Sequence, residues 1–539
     1  MDCVLIGVVM GVMLLGLRWF VYLQGPGKRL PPGPRPLPII GNIHQLGKNQ
    51  TETLRQLAKT YGPLMSIRIG SVYTVVASTP EMAMELLQRH GQVFSGRTVP
   101  HAMDVGGFSK FSIFFGSAGK EWRDKRKVCK EILFSERCLE ESEGLRQEML
   151  QKLVDHVGDH CDRRDVVNIH DVVFMANLNL LLTTIFSITS PDTAMELMKI
   201  MKDFFSLFAP NITDYFPILK VLDPQGMKRK AELSLGKLLA KFRDFLNYRL
   251  DHRRNNPNNK KQDLLEAIID ITQANDYNIT TQDIPYLLLE LIVGGIDSNS
   301  NMVEWIMTEL LFNPDKLERL KREIKSAVGE NGKIQEADIA SLPYLQAVIK
   351  ETFRYHPPGP LAVTRMSEAD QEVNGYMIPK GPQIVVNTWS MAKDPSIWTD
   401  PESFEPERFL DNKLDFKGQH FQLIPFGAGR RICPGMTTAV LVHNFDWKLE
   451  KDKDHPDHKE AILTKFRCGQ SSSANSAPFL DTLLSDYVVL ICKFRDVHVS
   501  TDRASIGLIV DGVRVAHPDL LVGSRMAVHE IDGIHITRV

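Results

Sequence analysis

Phe426-Gly427-Ala428-Gly429-Arg430-Arg431-Ile432-Cys433-Pro434-Gly435 is the stretch on which the reading of this 539-residue chain turns. Its glycines let a tight loop pass close to another group. Arg431 offers a planar fork of donors suited to a carboxylate, and Cys433 offers a sulfur whose thiolate is a ligand. Standing alone, the run would read as a buried free cysteine after a Gly-rich turn. The other cysteines (Cys3, Cys129, Cys138, Cys161, Cys468 and Cys492) are scattered, with no Cys-x-x-Cys pair. Zinc spacing is therefore absent, a disulfide scaffold is not expected, and most of these thiols read as small buried apolar residues. With 43% hydrophobic and 24% charged residues, the chain is globular and long enough for a sizeable core. A net charge of -2 gives no global field toward nucleic acid, and no nucleic-acid partner is expected.

Outward from that loop the pattern is mainly α with small β-sheets. Thr53 to Tyr61 reads as a short amphipathic helix. Leu64 to Ala77 alternates and reads as a strand pair turning at Gly70-Ser71. Pro80 to His90 and the basic stretch Glu121 to Phe134 read as helices, and so does most of Leu139 to Leu250, with breaks near Pro191 and Pro210 to Pro217. Asp251 to Asp263 reads as a solvated loop. Pro285 to Asn313 is the longest helical candidate, stopped by Pro314. Within it, Gly294-Gly295-Ile296-Asp297-Ser298 weakens a core helix by up to about 1 kcal/mol per glycine. That pattern fits either close helix packing or a place where a ligand approaches the backbone.

Phe426, Gly429, Arg431, Cys433 and Gly435 together match Phe-x-x-Gly-x-Arg-x-Cys-x-Gly, which resembles the haem-ligand loop of the cytochrome P-450 superfamily. The resemblance implies that Cys433 is the axial thiolate of a haem b iron, that Phe426 and Gly435 shape the loop, and that Arg431 meets a propionate. Glu351-Thr352-Phe353-Arg354 resembles the Glu-x-x-Arg of the same superfamily, and Arg408 matches the third member of that buried charge set. These three are implied to be structural. Trp122-x-x-x-Arg126 resembles the haem-contacting helix, both residues reaching a propionate, and Arg365 lies where another propionate contact is often found. Lys125, Lys127 and Lys130 read either as a solvated basic face or as a docking face for an acidic electron-transfer partner. Gly294 to Ser298 resembles the oxygen-activation motif. Asp297 would then belong to the proton route, and the Ser298 hydroxyl, standing where threonine is usual, would hold the oxygen species. The implied activity is an O2-dependent monooxygenase drawing NADPH electrons through NADPH-cytochrome P-450 reductase.

Pro38-Ile39-Ile40-Gly41-Asn42 and Thr60-Tyr61-Gly62-Pro63-Leu64 are similar to the plant terpenoid hydroxylase clade of geraniol hydroxylases and ferruginol synthases. The implied substrate is a small apolar terpenoid, an abietane-type diterpenoid in preference to a monoterpenoid. Apolar residues from Val99 to Phe115, then Phe204, Phe205, Phe208 and Leu361-Ala362-Val363, read as core or as the lining of a pocket for bulky hydrocarbon. Residues 1–23 form a nearly uncharged run of about the 20 residues that span a bilayer. Met1-Asp2 is not a basic leader and no Ala-x-Ala-like site follows, so an anchor is favoured over a cleaved signal. Lys28 and Arg29 then put the body in the cytosol, with a single span in the endoplasmic reticulum membrane. Residues 24–42 are a stiff Pro-rich linker. The sequons at Asn49, Asn211 and Asn278 should stay bare in that topology.

Residues 43–450 are expected to form the haem-binding monooxygenase domain, and 451–539 an atypical C-terminal segment. Phe445-Asp446-Trp447 begins twelve positions after Cys433 (445 − 433). The usual gap in the superfamily is about nine residues longer, roughly 2.5 helical turns. From Lys451 onward nothing resembles the superfamily, and its closing β-hairpin is not evident. An exon-boundary error or a genuine appended segment would explain this. The competing expectation is thus a spliced or misassembled product that holds haem poorly and has no enzymatic activity.

Overall fold

The computed structural model of the chain describes residues 30–133, 135–163, 167–261, 263–274, 276–328 and 336–436, together with five short strands within 464–514. Among the described residues ten α-helices have nine or more residues: α1 (Gln50–Tyr61), α2 (Lys120–Val128), α3 (Glu143–Arg163), α4 (Ile169–Phe186), α5 (Pro191–Phe205), α6 (Met227–Asn255), α7 (Leu264–Ala274), α8 (Ile284–Phe312), α9 (Pro314–Val328) and α10 (Pro343–Tyr355). Strands β1 (Leu64–Ile69), β2 (Val72–Ala77), β3 (Gly96–Arg97), β4 (Arg365–Met366) and β7 (Gln383–Val386) form one sheet in the order β1-β2-β7-β4-β3. Strands β5 (Gln371–Val373) and β6 (Tyr376–Ile378) make a separate hairpin. The fold is mainly helical with small sheets, as the sequence pattern indicates.

The central element is α8. Pro285 lies in its first turn, where a missing N–H costs nothing, and Asn313 and Pro314 end it. Its apolar residues, Leu287, Leu288, Ile292 and Ile296 among them, join one core with Phe174, Leu178 and Leu182 of α4 and Leu238 and Phe242 of α6. Helix α4 is the one described helix long and apolar enough to cross a membrane, but its buried face makes it a core helix. The proposed anchor in residues 1–23 lies outside the described residues.

Several local expectations hold. β1 and β2 pair from Leu64↔Ala77 to Ile69↔Val72, and Gly70 takes φ +58° at the turn. α1 starts three residues earlier than read, because the Asn49 side chain accepts from the Glu52 amide and caps it. The helices from Pro80 and Lys120 both pass into π-helical turns, at Glu85–Arg89 and Cys129–Leu133. One expectation fails: the segment from Asp251 is not all solvated loop. α6 runs on to Asn255, and Asp263 is buried against Arg249, with Nη1 to Oδ1 at 2.5 Å and Nη2 to Oδ2 at 2.7 Å. A charged, asparagine-rich sequence gives no sign that one carboxylate at its end is spent on a buried arginine. In the tail, β8 (Thr464–Arg467) pairs with β9 (Tyr487–Leu490), and β10 (Val499–Asp502), β11 (Gly507–Val510) and β12 (Val513–Arg514) form another small sheet. Phe445-Asp446-Trp447 lies outside the described residues.

Candidate functional site

The loop carrying Cys433 is held by its backbone. The Cys433 amide donates to the Phe426 carbonyl at 3.0 Å, closing the turn. Gly427 and Gly429 take φ +70° and +67°. A Cβ at Gly429 would lie 2.0 Å from the Leu87 carbonyl oxygen, so only glycine fits against the π-helical turn. Phe426 packs edge-on against Phe353 of α10, with centroids 5.2 Å apart. Burial pushes the Cys433 thiol up, while the Gly435 amide and the Arg126 charge oppose that rise. The sulfur is thus a poor free thiolate that has two local groups ready to stabilise its charge.

Four guanidinium groups surround this loop. Arg126 donates to the Ile432 carbonyl at 2.6 Å, beside Cys433. Arg365 donates to the Ala428 carbonyl at 2.8 Å, and Arg97 donates to Val363 and Thr364. Arg431 reaches the carbonyls of Ser95 and Gly116 at 2.9 and 2.6 Å. Burial lowers all four, and repulsion from a neighbouring guanidinium adds to it at Arg97, Arg365 and Arg431, taking Arg365 to about 9 and Arg431 to about 10. Among the described residues none of the four has a carboxylate within ion-pair distance. Arg365 Nη1 and Arg97 Nε are buried with no hydrogen-bond partner there. Buried cations that lack counter-charge are costly, and these donors fit a bound dicarboxylate such as the two propionates of a haem. Trp122 takes part differently from expectation. Its indole N–H is spent on the Ile113 carbonyl at 2.8 Å, and its ring lies between Arg431 and Arg126, at 4.5 and 5.1 Å. The sequence reading missed Arg97. It sits on a two-residue strand with no periodicity around it and enters the cluster only through the β3–β4 pairing.

On α8 the structure divides the two readings of the glycine pair. A Cβ at Gly295 would meet Leu181 of α4 at 3.2 Å, which is helix packing, whereas one at Gly294 meets nothing within 4 Å. Gly294 and Ser298, one turn apart, are exposed although Ile292, Ile296, Asn299 and Ser300 between and beside them are buried. That open strip interrupts the core. The Ser298 hydroxyl donates to the Gly294 carbonyl at 3.0 Å. Asp297 faces α4 instead: Asn301 donates to its Oδ2 at 3.0 Å, and His170 Nε2 lies 3.9 Å from its Oδ1.

Behind the loop, Glu351 and Arg354 form a fully buried bidentate pair, both bonds 2.7 Å. Arg354 also donates to the carbonyls of Ala392, Pro401 and Ser403. Arg408 reaches the same Glu351 oxygen at 3.1 Å. The three residues that the superfamily resemblance grouped are therefore one network, and Phe353 on the same helix carries it to Phe426.

Of the apolar segments, Met103, Phe108 and Phe204 are buried in the α4–α8 core, while Leu361 belongs to a different cluster beside β1 and β2. Lys125 is not on the basic face: it is buried, with Nζ 2.6 Å from Asp283 and 3.0 Å from the Phe111 carbonyl. Lys127 and Lys130 are exposed. Asn211 is buried as the cap of a short helix, so folded protein cannot be glycosylated there.

Residues 31–467 match the family Cytochrome P450. Ferruginol synthase of Salvia miltiorrhiza is 52% identical over 440 residues, covering 79% of this chain and 89% of that protein. Ferruginol synthase of Isodon rubescens is 50% identical over 472 residues, covering 84% and 96%. Sugiol synthase of Salvia miltiorrhiza is 45% identical over 476 residues, covering 86% and 96%.

Proposed function

Because the chain belongs to the cytochrome P450 family, we propose that it is a haem-thiolate monooxygenase acting on an abietane-type diterpenoid, with Cys433 as the thiolate. The family uses haem with a cysteine thiolate ligand, O2, and NADPH electrons delivered by a reductase. When bound, the haem activates O2 so that one oxygen atom enters a C–H bond and the other leaves as water. This chain's residues supply the setting. Arg97, Arg126, Arg365 and Arg431 would anchor the propionates, and Gly435 and Arg126 would hold the thiolate charge. Asp297 and Ser298 would hold and pass protons beside the open strip of α8. The Glu351–Arg354–Arg408 network would keep the Cys433 loop in place.

The observation that carries this reading is the uncompensated arginine cluster around the Cys433 loop. A metal-free structural cysteine would have no use for four clustered cations, two of them buried and two half-buried. Two relatives are named for making ferruginol and one for making sugiol, which supports the abietane choice. The test is the reduced, carbon-monoxide-bound spectrum of the membrane fraction, followed by incubation with an abietane hydrocarbon and, separately, with geraniol. A thiolate-haem band lost in Cys433→Ser, with product from the abietane only, is the expected result. No band, with the protein present, would overturn the assignment.

The body is read as lying against the membrane that its N-terminal run would enter, the endoplasmic reticulum membrane by likeness to its family. Leu37 and Ile39 are exposed on one side, and Ile218, Val221 and Leu222 on another. Both groups converge on one turn, where Gly70 donates to the Ile40 carbonyl and Ser71 to the Tyr215 carbonyl. An apolar end of this kind suits a lipid surface. The exposed Arg123, Lys127 and Lys130 beside the Cys433 loop suit an acidic reductase face.

A further inference from the structure

We propose that His170, beside Asp171 near the molecular surface, is the residue that returns a proton to Asp297 after each delivery into the site. This rests on the monooxygenase reading above and names the source of its protons. Asp297, Asn301 and Glu304 stand at i, i+4 and i+7 on α8 and form a polar stripe facing the first turn of α4. Asn301 holds one Asp297 oxygen, and the other lies 3.9 Å from His170 Nε2, within reach of one side-chain rotation or one bridging water. On the far side of the ring, Nδ1 lies 3.7 Å from Asp171 Oδ1. Lys202 of α5 holds that same carboxylate at 2.7 Å. Asp171 is half-exposed, His170 less so and Asp297 least, so the three descend from solvent toward Ser298.

The charged groups facing His170 are Asp171 on its own helix and Asp297 and Glu304 on α8, with Lys202 acting through Asp171. Desolvation lowers the His170 pKa, but the neighbouring Asp171 carboxylate and the charges of Glu304 and Asp297 outweigh it, and the net direction is up. The ring therefore holds its proton to higher pH than an ordinary imidazole. Burial lifts Glu304 to about 7, so its charge, and with it the support for imidazolium, changes in the same range. The step is a proton transfer only. The His170 Nε2–H bond breaks and an Asp297 O–H bond forms. Neutral His170, left with its proton on Nδ1, then turns about its Cβ–Cγ bond so that the vacated Nε2 reaches the solvent side and takes up a proton there, and the ring turns back. Each O2 cleaved with insertion of one atom takes two electrons, from the reductase, and two protons, for which this is the route. His170 thus acts through Asp297, as a positioning and proton-holding residue.

The experiment uses the full chain with reductase in lipid vesicles. In His170→Asn the expected result is a roughly tenfold slower product formation, with NADPH oxidation diverted to hydrogen peroxide. The alkaline decline of the wild-type rate, set by loss of the His170 proton, should vanish. Turnover with iodosylbenzene, which donates one oxygen atom and needs neither electrons nor protons, should be unchanged, as should the reduced carbon-monoxide spectrum. Glu304→Gln should move the alkaline limb to lower pH. By proton NMR, the His170 C2–H resonance, identified by its loss in His170→Asn, should titrate at lower pH in Asp297→Asn than in wild type. Wild-type coupling and pH profile in His170→Asn, or an unmoved limb in Glu304→Gln, would sink the relay while leaving the monooxygenase assignment intact. A wild-type chain with no thiolate-haem spectrum would remove both.

Discussion

Glu290 shows what one residue can do outside the motifs. Its carboxylate, half-buried on α8, accepts from the Ile113 amide at 2.6 Å, the Phe114 amide at 3.2 Å and the Ser112 hydroxyl. It therefore ties the core helix to the loop whose carbonyls Arg431 and Trp122 hold. Burial raises its pKa from 4.5 to about 7 against those hydrogen bonds. A raised folded pKa means that the native state binds more protons than the unfolded chain between those two values. Stability from this site is therefore full below 4.5 and is lost as pH rises toward 7, by about 3 kcal/mol. Thermal midpoints at pH 5 and pH 8 should show this fall in wild type and not in Glu290→Gln; an equal fall in both would refute the assignment. The contrast with Cys433 is instructive. Cys433, Arg431, Glu351, Arg354 and Arg408 were legible because their roles are written as fixed local spacings. Arg97, His170 and Glu290 were not, because each becomes functional only through a partner brought by tertiary packing, and nothing in its own neighbourhood marks it.

At the scale of elements, α8 carries two requirements that its sequence states ambiguously. The paired glycines announce close approach, but only the packing of α4 shows that Gly295 serves the helix contact and Gly294 the open strip. This predicts opposite outcomes for two similar changes. Gly294→Ala meets no atom, so the helix should gain up to about 1 kcal/mol, while a methyl in the strip should weaken the spectral shift that substrate induces. Gly295→Ala presses on Leu181, whose side chain must give by a few tenths of an ångström, so its stability gain should be smaller and substrate binding should stay as in wild type. Melting midpoints and substrate titrations of the two variants check this, and identical behaviour would refute the division. Long periodic elements such as α8, α10 and the β1–β2 pair were readable because one face is apolar throughout. The stretch 256–261 is the exposed loop that its composition indicates, and only its end was misread, because an ion pair with Arg249 buries the Asp263 side chain.

For the whole molecule, the arginine cluster joins α2, β3, β4 and the Cys433 loop around a site whose charge is unbalanced in the protein alone. Two consequences follow, with opposite signs. Without haem, the clustered guanidinium groups, Arg365 and Arg431 buried among them, destabilise the fold, since an uncompensated buried charge costs several kcal/mol. With haem, the propionates neutralise them, and a ligand held at about a thousandfold above its Kd adds roughly 4 kcal/mol. Arg365 is the member to test, because among the described residues its Nη1 is buried without a partner and its guanidinium donates through Nη2 to the Ala428 carbonyl. Replacing it by methionine keeps the volume and removes the charge. The haem-free Arg365→Met protein should therefore melt at a higher temperature than haem-free wild type. The haem-loaded variant should release haem to an acceptor such as apomyoglobin several times faster than wild type. A merely structural arginine would behave in the opposite way, lowering the haem-free midpoint through the lost Ala428 bond and leaving haem release unchanged. Measuring both quantities on one variant separates a cluster built to receive carboxylates from one built only to staple the loop.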